Sequence, residues 1–200
     1  LGGDRRRAAA LVHDVVKQGV ALPDVYEHVF AASQHEVGRL WQANQLSVAM
    51  EHYATGATQV IMSQFFNTVW TTPVKSRRFV GACVQDELHD MGMRMACDVM
   101  RYEGWDAFCL GANTPDSALR DAIRELEPSV VGISATLPFH VDNVRRAIEV
   151  ARETDPALTV VVGGAIFDRT PGLAEKVGAD AWLGRAALGP RRLDEVLAGA

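Results

Sequence analysis

Residues 77–94 read RRFVGACVQDELHDMGMR. The run Phe79 to Val84 is apolar and of buried-strand length. A helical pattern follows, from Gly92 to Tyr102. Glu87, His89 and Gly92 therefore stand at the tip of a strand, where a strand-to-helix turn opens. Further apolar runs recur downstream: AFCLGA (107–112), VVGISAT (130–136), LTVVVGG (158–164) and AWLG (181–184). Helical patterns follow them, at Pro115–Glu125, Val141–Arg152, Pro171–Val177 and Gly189–Leu197. Five strands, each followed by a helix, predict a parallel sheet covered on both faces. Right-handed crossovers make it doubly wound, of flavodoxin or Rossmann-like type. Ligands of such sheets bind beyond the carboxyl ends of the strands.

The chain ahead of this pattern reads differently. Asp4 can cap a helix to about Gln18, and Pro23 suits the start of a second that runs to Trp41, with a break near Ser33. Ser47 can cap a long helix to about Val69. The expected organisation is α followed by α/β: a helical bundle over 1–72, a linker over 73–78 and an α/β domain over 79–200.

Composition narrows the function. The 200 residues carry a net charge of −5, with 48% apolar residues, enough for two modest cores. An acidic balance argues against nucleic-acid contact by this segment. The basic runs at Asp4–Arg7 and Lys75–Arg78 read as a solvated helix end and a linker. Cys83, Cys97 and Cys109 have no metal-type spacing and read as reduced core thiols of a cytoplasmic protein. No stretch has membrane-spanning length or signal-peptide form. The chain begins at Leu1 rather than Met, so a piece of a longer protein with an output domain elsewhere is expected.

His89 alone reads as a polar loop residue, but its neighbours change that. A metal-bound histidine usually gives its second ring nitrogen to a carboxylate, and Glu87 is two positions away. Gly92 allows close approach at the helix start. No further ligand lies nearby in sequence, so the pattern suits a metal whose other ligands come from a macrocycle rather than a protein-built cage.

Glu87-Leu-His89-Asp-Met-Gly92 resembles the D-x-H-x-x-G signature of cobalamin-binding domains. Ser134-Ala-Thr136 resembles that family's segment after the third strand, and Gly163–Gly164 its Gly-Gly after the fourth. Taken singly, these two segments are also ordinary strand ends. The resemblance implies that His89 is the lower axial cobalt ligand. It implies that Ser134, Thr136, Gly163 and Gly164 line the pocket of the nucleotide tail. Glu87 departs from the signature's Asp, which makes the imidazole geometry a point to test.

In the helical part, Trp41 precedes Glu51–His52 by nine intervening residues. Trp41 as bundle core and Glu51–His52 as a solvated helix start is the plain reading. W-x9-E-H is also similar to the adenosyl-side motif of light-responsive, cobalamin-dependent repressors of carotenoid genes. That resemblance, which extends to photocobilin-type photoreceptors, implies adenosylcobalamin held between the domains, with Trp41, Glu51 and His52 on the adenosyl side. It implies light-driven cleavage of the cobalt–carbon bond, and a rearrangement that controls oligomerisation or an attached output domain. In those repressors a His follows the Trp and becomes the upper ligand after light; here Gln42 stands there. His52 and His35 are the nearest replacements. His13, His28 and His140 read as surface helix residues. The runner-up is a corrinoid methyl carrier of a methyltransferase system. A flavodoxin-like module without cobalamin is the third reading. No Ser–His–Asp order, P-loop or zinc pattern points to an enzyme.

Overall fold

A computed structural model describes residues 3–70, 77–186 and 189–198. The chain divides into two compact units, 1–71 and 72–200.

The first unit is helical. Helix α1 (Arg5–Lys17) starts where the Asp4 carboxylate accepts the Arg7 backbone N–H. Helix α2 (Leu22–Val25) has Pro23 in its first turn. The chain then runs through a π-helical stretch, Tyr26–Ala31, directly into α3 (Ala32–Gln42). The expected break near Ser33 is thus a widened turn just before it, and the Ser33 hydroxyl donates to Phe30 O at 2.9 Å. Helix α4 (Val48–Ser63) is capped by Ser47 and is shorter than expected. The chain turns at Gln64–Phe65 before α5 (Phe66–Val69). The turn buries Phe65, whose ring packs 4.8 Å from that of His13, while Gln64 Oε1 lies 2.7 Å from His13 Nε2. Gln34 joins α3 to α4 by donating to the Thr58 hydroxyl at 2.7 Å.

The second unit is a five-stranded parallel sheet. Its strands are β1 (Arg78–Cys83), β2 (Asp106–Gly111), β3 (Val130–Ser134), β4 (Thr159–Gly163) and β5 (Ala181–Trp182), in the order β2-β1-β3-β4-β5. The expected linker falls on 73–78. Residues 73–76 lie outside the described residues, and Arg78 already begins β1.

Alternation along the strands divides the core. Val80, Ala82, Val131 and Ile133 face α7 (Asp116–Leu126) and α8 (Val141–Thr154). Phe79, Cys83 and Val130 face α6 (Met91–Tyr102) and α11 (Gly189–Ala198), packing with Met93, Met100 and Leu193. Gly132 makes room for this second layer: a Cβ there would sit 2.4 Å from the Phe79 ring. Two short helices, α9 (Ala165–Arg169) and α10 (Leu173–Val177), follow β4, where one was expected. The strand order reverses between β1 and β3, so the crevice forms at their carboxyl ends. No helix among the described residues is long and apolar enough to cross a membrane.

Candidate functional site

The three strand tips singled out in sequence are neighbours in register. Cys83 pairs with Ser134, and Ser134 with Gly163. The turn after β1 is braced from several sides. Asp86 has a left-handed backbone (φ 68°), and its N–H donates to Asn113 Oδ1 at 2.8 Å. The Asn113 N–H in turn donates to Glu87 O at 2.8 Å. From α8, the Asn143 amide donates to Gln85 O at 2.8 Å.

This turn drives the Glu87 side chain inward, where it is fully buried. Its Oε1 accepts the His89 backbone N–H at 2.8 Å and meets His89 Nδ1 at 2.5 Å. Its Oε2 accepts the Thr136 backbone N–H at 2.6 Å and meets His140 Nδ1 at 3.0 Å. Four donors match the roughly four lone-pair sites of a carboxylate. Burial alone would raise the Glu87 pKa. The hydrogen bonds from His89, Thr136 and His140 outweigh it and bring the value down to about 2. An ionised carboxylate only accepts, so His89 carries its proton on Nδ1. In a neutral ring that tautomer places the lone pair on Nε2, and the ring is 60% exposed.

The glycines separate into two kinds. Gly164 (φ 97°) lies against the chain itself: a Cβ there would be 2.3 Å from Ala135 O. A Cβ at Gly163 or at Gly92 would meet nothing within 4 Å. Open space at a strand tip is what a ligand needs. Ser134 is buried beneath this tip. Leu88 and Phe139 are large apolar residues left 71% and 74% exposed. A cavity of about 320 Å³ beside β5 is lined by Phe167, Leu173 and Trp182 among others, and no residue of the Glu87–His89 cluster lines it.

In the helical unit, Trp41 lies one residue from the end of α3 and is 47% exposed, so it is not bundle core. Glu51 is in the first turn of α4, where the helix dipole favours a carboxylate. The Thr55 hydroxyl holds its Oε1 at 2.9 Å and also meets Gln34 Oε1 at 3.0 Å. His52 Nε2 lies 3.5 Å from Glu51 Oε2. Gln42, His35 and His28 are exposed, and His13 is half-buried.

His140 corrects the sequence reading. It is not a surface helix residue: it ends the 3-10 turn Pro138–His140, is 3% exposed and bonds Glu87. Asn113 and Asn143 also went unnoticed. The signal available for all three was position, since loops after β2 and β3 and the start of α8 share the edge that carries Glu87. Cys83 and Cys97 are buried and Cys109 is half-buried; all three are free thiols.

Two family models, each described as a B12 binding domain, match the chain, one over residues 77–191 and the other over 1–65. The chain belongs to the B12 binding domain family. Among curated relatives, the HTH-type transcriptional repressor CarH of Myxococcus xanthus is 26% identical over 90% of the chain, which spans 60% of that repressor's length. Dimethylamine corrinoid protein 1 of Methanosarcina mazei is 23% identical over 98% of the chain and 91% of its own length. The fold is shared with the monomethylamine corrinoid protein of Methanosarcina barkeri, at a TM-score of 0.79 and 16% identity over 96% of this chain and 92% of that one.

The donor set fits a B12 domain. Among the described residues, no three His, Cys, Asp or Glu side chains could together hold a metal ion. One imidazole backed by a buried carboxylate has the second-shell arrangement common to metal-bound histidines, and suits a metal whose other ligands come from a macrocycle.

Proposed function

We propose that this B12-binding chain is an adenosylcobalamin-dependent light-sensor domain and not an enzyme. In this reading His89 is the lower axial cobalt ligand and Glu87 holds its tautomer. Gly92, Ser134, Thr136, Gly163 and Gly164 form the tail pocket. Trp41, Glu51 and His52 receive the adenosyl group. Bound adenosylcobalamin supplies a cobalt–carbon bond that visible light breaks. The chain then reports the loss through altered oligomerisation or through an attached output domain, in the cytoplasm.

What supports the light-sensor reading is that the helical unit holds both an exposed Trp41 and a Glu51 braced by Thr55. An indole left outside the core offers a flat face for an adenine ring. Glu51, fixed by Thr55, accepts from ribose hydroxyls. The similarity to a CarH repressor supports the same reading.

A corrinoid methyl carrier is the second reading. The match to a dimethylamine corrinoid protein over 91% of that protein's length favours it. The two readings differ in the upper ligand, so uptake separates them. Wild-type chain and a Trp41→Ala variant are titrated with adenosylcobalamin and with methylcobalamin, in the dark and after green light. The sensor predicts preference for the adenosyl form, lost by roughly tenfold in the variant, the scale of one aromatic stack. It also predicts a light-driven change to a stable bound product. Equal uptake of both forms, indifferent to Trp41, overturns the sensor in favour of the carrier.

A further inference from the structure

Glu87 carries two imidazoles, and only one of them has a place in the reading above. His140 Nδ1 lies 3.0 Å from Glu87 Oε2, across 53 positions of sequence. The ring is buried, with Phe139 packed edge-on at 4.4 Å. Its Nε2 is also buried and has no hydrogen-bond partner among the described residues. A buried polar atom left unpaired destabilises the fold. An aliphatic side chain would fill the space without that cost, so the gain lies at Nδ1, on Glu87.

Glutamate has one more methylene than the aspartate of the signature, and so more freedom to turn. Its two oxygens are divided cleanly between partners. Oε1 goes to the backbone and ring of His89. Oε2 goes to the Thr136 N–H and to His140. Without His140, Oε2 keeps a single donor, and the carboxylate is free to rotate away from His89.

We propose that His140 is a positioning residue of the axial-ligand site: it clamps Glu87 Oε2 so that Oε1 holds His89 in its Nδ1–H tautomer. The purpose of the clamp rests on the cobalamin reading; its geometry does not.

The test is nitrogen NMR of the full chain with ¹⁵N-labelled histidine, first without cobalamin. Both His89 and His140 are expected Nδ1-protonated at neutral pH. A His140 protonated on Nε2 alone overturns the clamp. In His140→Leu, His89 is expected to become a tautomer mixture. His140→Asn, whose amide nitrogen takes the place of Nδ1, is expected to restore a single tautomer. An unchanged His89 in His140→Leu overturns the proposal. Should that variant fail to fold, His140→Gln, with its amide displaced from Nδ1, replaces it. With cobalamin added, His-on binding is expected to weaken roughly tenfold in His140→Leu and to return in His140→Asn. If the wild type takes up no cobalamin, the functional reading fails, and the tautomers alone still decide the clamp.

Discussion

Glu87 is the residue on which the site turns, because a buried carboxylate is tolerated only where its lone pairs are filled. Two of its four donors belong to His89 in the same turn after β1, and two, from Thr136 and His140, come from the β3–α8 turn. Glu87→Gln places an amide nitrogen against N–H donors and leaves them unpaired. We expect it to destabilise the apo chain by about 2–4 kcal/mol, read as a lower urea midpoint. The pH dependence follows from the depressed pKa. The ordinary value is 4.5 and the folded one about 2, so the unfolded chain binds the proton first as pH falls. The stabilisation is fully present above about pH 5 and lost as pH falls towards 2. Urea midpoints measured across that window should fall more steeply in the wild type than in Glu87→Gln; equal slopes would rule the account out. The Glu87–His89 pair was legible because its partners are two positions apart. His140 was not, because nothing local ties residue 140 to residue 87; only the pairing of β1 with β3 does.

At the scale of elements, the two glycines after β4 make opposite predictions. Gly164→Ala sets a Cβ against Ala135 O at a left-handed backbone position, so it should cost about 1–3 kcal/mol of apo stability. Gly163→Ala meets open space and should leave the thermal midpoint of the apo chain nearly unchanged while weakening cobalamin uptake. If Gly163→Ala binds cobalamin as the wild type does, Gly163 is not part of the tail pocket. The five strands were readable because strands buried on both faces appear as continuous apolar runs. Helix α9 was not, since five residues hold too little periodicity to register. The turn at Gln64–Phe65 was hidden for the opposite reason. Ile61, Met62, Phe65 and Val69 are all buried at helical spacing, and the pattern reads straight through the break. The π-helical stretch Tyr26–Ala31 is a change of hydrogen-bond register with no residue of its own to mark it.

At the scale of the whole molecule, the chain joins two units that both match B12 binding domain models. Its relatives include a transcriptional repressor and corrinoid proteins, so membership of the family does not by itself decide between a regulatory and a carrier role. Under either role, we propose, His89 binds cobalt in place of the cofactor's own base. The direct measurement is an electron paramagnetic resonance spectrum of the chain, grown with ¹⁵N-histidine and loaded with cobalt(II) cobalamin. An imidazole nitrogen of spin one-half on the axial position splits each cobalt line into a doublet, and the account predicts that doublet, absent in His89→Ala. A triplet, the mark of the ¹⁴N base of cobalamin itself, would contradict it.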